Sequence, residues 1–188
     1  MRAAKDGDAD SFSKLYEHIA PSLLTWAELR LRPAQRAHLD PQDLVQEVWF
    51  RAWKAIDSFD PDRVPFRLWL FRVAKNVLLE AVRQARKADR QKGVPGPTTR
   101  LFALQNLPDS ATAVSRRLAR DEGLKAFTER VRKLEDDEQR LVLHCGLEGL
   151  PYKDVAERME LSLDAVAKRW QRLRSRLLEA GLPDQLLA

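Results

Sequence analysis

Apolar residues along this chain recur at intervals of three and four, and alternating β-branched runs with hairpin turns do not occur. That periodicity predicts helices and no strands. Residues 9 to 31 read as a helix, or as a pair of helices broken at Pro21. Asp40 reads as an N-cap with Pro41 at the first helical position and Asp43 in the first turn, opening a helix to about Ile56. The stretch "DSFDPDRVP" has Pro61 and Pro65 among Asp57, Asp60 and Asp62 and reads as a loop. A long helix then runs from Phe66 to about Lys87. Leu70, Val73, Val77 and Ala81 share one of its faces, and Arg72, Lys75, Asn76, Arg83 and Arg86 another.

Prolines and glycines cluster at 93 to 97, "GVPGP", inside a segment rich in Gly, Pro, Thr and Asn. Residues 90 to 113 therefore read as a flexible linker between two small helical domains, 1–89 and 114–188. The second helical block extends from near Ala113 to near Leu178. Within it, Tyr152 to Met159 forms a short helix burying Val155, Ala156 and Met159. A turn at Glu160 and Leu161 follows, and Ser162 caps a second helix from Leu163. Val166, Trp170, Leu173 and Leu177 share one side of that helix. Asp164, Lys168, Gln171, Arg172 and Ser175 face away, with Arg169 and Arg176 at the flank. This is the layout of a helix-turn-helix, whose second helix enters the major groove.

The charge balance sharpens the picture. The 188 residues carry a net charge of +5, which favours a polyanionic partner. A basic stripe beside Phe66, Trp69 and Phe71 suits a nucleic-acid strand, with cations holding phosphates and exposed rings stacking bases. An ordinary solvated helix face has the same pattern. Against this background "DLVQEVWFRAW" stands out. One side of its helix is aromatic, while Asp43, Gln46 and Glu47 make an acid-and-amide patch expected to face outward.

Other chemistry is thin. His144 and Cys145 are adjacent on a predicted helix, with no acid obviously placed to orient the histidine, and read as a buried structural pair. His18 and His38 lack metal-ligand spacing. Asp57, Asp60 and Asp62 lack the glycine and later Glu of a calcium loop, and turn chemistry accounts for them. No phosphate-binding glycine motif is present. No catalytic residue, metal site or cofactor is expected, and the chain does not read as an enzyme. The single Cys145 fits a reducing cytosol. No apolar run approaches a membrane span and no signal peptide opens the chain, so a cytoplasmic location without membrane insertion is expected.

Three stretches together carry a resemblance: "DPQDLVQEVWFRAWKAIDSFDPDR", "FRLWLFRVAKNVLLEAVRQARK" and "LEDDEQRLVLHCGLEGLPYKDVAERMELSLDAVAKRWQRLRSRL". With the opening "AAKDGDADSFSKLYEHIAP", their order and spacing resemble the extracytoplasmic-function (ECF) sigma factors, small bacterial RNA polymerase specificity subunits. The resemblance implies an all-α fold with two domains, the second a helix-turn-helix. It implies that Asp43, Gln46 and Glu47 dock on the clamp coiled coil of the largest polymerase subunit, with the flap of the second-largest subunit as a further contact. Asp60, Arg63, Phe66 and Trp69 would capture a base flipped from the minus-ten element, while Arg72, Lys75, Asn76 and Arg83 hold the melted strand. Ser162, Asp164, Ala165, Lys168, Arg169 and Arg172 would read the minus-thirty-five element. The linker would thread near the polymerase active centre, and an anti-sigma factor is a further possible partner. The chain departs from the family pattern at Val64-Pro65, Glu80, Pro151 and Trp170. Two other readings stay open on the residues alone: a helix-turn-helix regulator binding duplex DNA by itself, and a helical module binding only protein.

Overall fold

The computed structural model describes residues 9–36, 39–90, 118 and 120–187. Every regular element among them is helical. The chain divides into two compact units, Met1–Ala119 and Arg120–Ala188. The predicted linker lies almost wholly outside the described residues, as does the predicted start of the second block near Ala113.

Unit 1 is built on α1 (Ala9–Arg30), the short α2 (Pro33–Arg36), α3 (Pro41–Lys54) and α4 (Phe66–Arg90), with a 3-10 turn at Ile56–Ser58. Asp40 caps α3 as expected: its Oδ1 accepts from the Gln42 N–H at 2.6 Å. α1 is not broken at Pro21 but runs through it. A proline inside a helix costs about 3 kcal/mol through a lost hydrogen bond and a ring clash. Here Tyr16, Ile19 and Ala20 before it and Leu23, Leu24, Trp26 and Ala27 after it are all buried. Each large buried side chain contributes roughly 1.5–3 kcal/mol, so packing outweighs the proline. α3 packs between α1 and α4. Its Trp49 lies 4.4 Å from the Tyr16 ring and 6.5 Å from that of Phe66, centroid to centroid. Trp26 meets Phe71 edge-on at 5.8 Å.

Unit 2 comprises α5 (Glu122–Arg132), α6 (Asp136–Leu141) running on as a π-helical turn over Val142–Leu147, α7 (Tyr152–Met159), α8 (Leu163–Glu179) and a 3-10 turn at Asp184–Leu186. Val155, Ala156 and Met159 of α7 pack with Val166, Trp170, Leu173 and Leu177 of α8, all buried as their spacing predicts. The turn between the two helices is a Schellman closure. Leu161 N–H donates to Ala156 O (2.9 Å), while Glu160 sits in the left-handed region at φ 56°. Ser162 then opens α8, its Oγ accepting from the Ala165 N–H at 3.1 Å. The final segment folds back, burying Leu186 and Leu187. Gly146 lets it approach: a Cβ there would lie 3.0 Å from Trp170 Cη2 and 3.2 Å from Leu186 O.

Candidate nucleic-acid interface

The acidic patch of α3 is less exposed than its spacing suggests. Gln46 and Glu47 are 7% and 8% exposed, correcting the expectation that they face outward. Arg51 Nε donates to Glu47 Oε1 at 2.6 Å, and the same guanidinium reaches across to Glu80 on α4. Glu80 and Glu47 hold Arg51 charged, and Arg51 in turn holds the Glu80 carboxyl below its usual range. Of the three patch residues Asp43 is half-buried, and burial, with Asp40 nearby, raises its pKa. A cation brought against it would reverse that shift.

The loop before α4 is organised by Asp60. Its Oδ1 accepts from the Asp62 N–H at 3.0 Å, and its carbonyl accepts from the N–H groups of Arg63 and Val64, each at 3.2 Å. This is turn chemistry, and it leaves Arg63 exposed. Among the described residues no cluster of three His, Cys, Asp or Glu side chains could hold a metal ion.

The aromatic residues at the head of α4 separate. Phe66 is 3% exposed and Phe71 1%, so both rings belong to the core. That corrects the expectation that the Phe66 ring is available for stacking. Phe66 is enclosed because Phe59, the last residue before the loop, meets it edge-on at 5.5 Å. Trp69 is half-buried, leaning on Phe59 at 5.1 Å and Phe66 at 5.5 Å, and is the one of the three that reaches solvent. Beyond it along α4, Arg72, Asn76 and Arg83 are exposed and Lys75 is half-buried. Among the described residues Arg72 and Arg83 have no ion-pair partner, so their charge is undivided. The same stripe includes Leu79, exposed although apolar, which the sequence pattern did not single out.

In unit 2 the basic face is more neutralised than the sequence suggests. Lys168 and Asp164 pair at 2.8 Å. Arg169 lies 3.9 Å from Asp137 of α6, and Arg176 donates to both carboxylate oxygens of Glu138 at 2.7 Å. Arg174 turns to the final segment, where it meets Leu187 O and Asp184. Of the cations on α8, Arg172 alone has no acid partner among the described residues, and it is exposed. Ser162 is held by its capping role and Ala165 is half-buried.

The expectation that no acid orients His144 is also corrected. Glu148, fully buried, places Oε2 3.0 Å from His144 Nδ1. The i, i+4 spacing of the two residues was the available signal. Neighbouring Cys145 is no nucleophile, since burial pushes its thiol up to about 12. Iodoacetamide at pH 8 is therefore expected to leave Cys145 unmodified in the folded chain and to alkylate it in denaturant. Equal rates in both states would show the site to be open. The unfolded thiol ionises near 9.0, below the folded value, so stability falls as pH rises from there towards about 12.

No helix among the described residues is long and apolar enough to cross a membrane. The two units coincide with two family models: Sigma-70 region 2 matches residues 15–88, and Sigma-70, region 4 matches residues 124–177. The RNA polymerase sigma factor CnrH of Cupriavidus metallidurans is 32% identical over 149 residues, 73% of this chain and 71% of its own length. The ECF RNA polymerase sigma factor RpoE of Cereibacter sphaeroides is 28% identical over 175 residues, 87% of this chain and 89% of the relative. The ECF RNA polymerase sigma factor SigC of Mycobacterium tuberculosis is 31% identical over 144 residues, 77% of this chain and 71% of the relative. Two helical units in this order, matched by both family models and by these relatives, place the chain among the ECF sigma factors of the sigma-70 family, which direct RNA polymerase to promoters for transcription initiation.

Proposed function

We propose that the two units divide promoter recognition between them, with unit 1 also opening the DNA. The face of α4 formed by Trp69, Arg72, Asn76 and Arg83, with Lys75 at its flank, holds the melted minus-ten strand, and Arg63 and the Asp60 turn border it. Phe66 supports this face from beneath by fixing Phe59 and Trp69. The α8 face reads the minus-thirty-five element, with Ser162 and Ala165 setting the helix start and Asp164, Lys168, Arg169 and Arg172 lining the groove side. Asp43 contacts the clamp coiled coil of the polymerase, and Gln46 and Glu47 shape the surface below it. A contact between unit 2 and the polymerase flap, a linker over residues 90–113 and an anti-sigma partner belong to the same reading.

The observation that carries this assignment is the pair of open cations, Arg72 and Arg83, in line with the half-exposed Trp69. Unpaired guanidinium groups gain most from phosphate, because no internal ion pair has to be broken first. The test is transcription from a promoter library with core polymerase and the full chain, followed by permanganate footprinting of a selected promoter. With Arg72→Ala and Arg83→Ala combined, the complex is expected to reach the promoter and to leave its thymines at least tenfold less reactive. Undiminished reactivity would remove α4 from strand opening.

A further inference from the structure

We propose that Leu79 is a specificity-determining residue of this interface, in contact with the C5-methyl group of a promoter thymine. The inference rests on the reading of α4 as the minus-ten face.

α4 buries Leu70, Ala74, Val77 and Ala81. Positions 72, 76, 79 and 83 advance by four, three and four residues and so form one stripe on the opposite side. Three of them are polar. Leu79 is the exception, at 56% exposure, and is the one large apolar side chain left open among the described residues of unit 1. A leucine kept in water between Arg72 and Arg83 gains nothing in the free chain. It gains burial only against a partner that offers negative charge on both sides and an apolar group between.

Duplex and unpaired DNA both fit that description. Phosphates suit the two arginines, and the thymine methyl is the apolar group on the base edges. An aliphatic side chain lacks the flat ring that stacks well on a base, so the methyl is its natural contact. Asn76, one turn before Leu79, carries the amide that pairs with the edge of adenine. The stripe thus combines a group for adenine, a group for thymine and two for the backbone. An acidic protein surface would satisfy the arginines but has no reason to distinguish thymine from uracil.

That distinction is the test. Holoenzyme reconstituted from core polymerase and the full chain is challenged with a promoter taken from the library selection. Each thymine of its minus-ten region is replaced singly by deoxyuridine, which removes only the methyl group. Heparin-resistant complex formation is expected to fall about fourfold at one position, the worth of one buried methyl group. Leu79→Ala should abolish that dependence and Leu79→Met should keep it. The position is exposed, so both variants should retain the melting temperature of the parent chain. A uracil profile that is flat in the parent chain, or identical in Leu79→Ala, overturns the proposal. So does a Leu79→Ala chain that competes poorly for core polymerase with an unaltered uracil profile, since the face would then bind protein. If the parent holoenzyme opens no promoter, the reading of α4 itself fails, and that failure is visible before any uracil is introduced.

Discussion

Glu47→Lys is expected to destabilise unit 1 by about 2–3 kcal/mol. Removing one partner from a fully buried ion pair costs about 3–5 kcal/mol, because the remaining charge is left without compensation. Glu47 has a side chain only 11% exposed, but Arg51 is 38% exposed, so water screens part of the loss. The new ammonium would also face Arg51, and Arg51 would keep Glu80 as its sole carboxylate. Urea unfolding of the full chain, followed by the fluorescence of the unit 1 tryptophans, measures the effect as a shift of the unit 1 midpoint. A change under about 0.5 kcal/mol would mean that the Glu47–Arg51–Glu80 bridge does not hold α3 to α4. The consequence for function is practical. A polymerase-binding defect in Glu47→Lys would mix a weakened fold with a lost contact, so Asp43→Asn is the cleaner probe of the α3 surface.

Arg172→Ala is expected to cost roughly 1–3 kcal/mol in promoter affinity and to relax preference at one base pair of the upstream element. Lys168→Ala is expected to cost less and to reduce the salt dependence by under one unit. The difference comes from Asp164, which shares the Lys168 ammonium at 2.8 Å, whereas Arg172 has no acid partner among the described residues. A group already paired must give up one anion to take another, and its release of counterions is smaller. Holoenzyme binding to single-base variants of the upstream element, at two salt concentrations, separates the two. A larger effect from Lys168 than from Arg172, in affinity or in base preference, would sink this ranking of the α8 cations.

Much of the molecule follows from short-range pattern. The caps at Asp40 and Ser162 were readable because each is a local contact, between residues two or three apart. The buried faces of α7 and α8 were readable because helical spacing fixes the angle of each side chain about its own axis. The same spacing left Pro21 open between one helix and two, and contacts from other helices decided it by outweighing the local penalty. It also left Leu79 unremarked, since one apolar residue on a polar stripe acquires meaning only when its exposure is known.

The sequence by itself determined the all-helical character and the bounds, to within a turn, of the helices that open near Asp40, Phe66, Tyr152 and Ser162, whereas Glu122–Leu147 was legible only as helical and not as separate elements. Spacing, capping and proline placement act within a few residues. Tertiary structure alone decided which polar groups remain free for a partner. Arg176 is tied to Glu138, 38 residues away, and Arg51 to Glu80, 29 residues away. Gln46, Glu47 and Phe66 are covered by neighbouring packing that no local pattern encodes. A helical repeat gives the direction of a side chain from its own axis, but not whether another helix stands in that direction. Whether a charge on this chain meets solvent, an internal partner or DNA depends on that second fact, which only packing supplies.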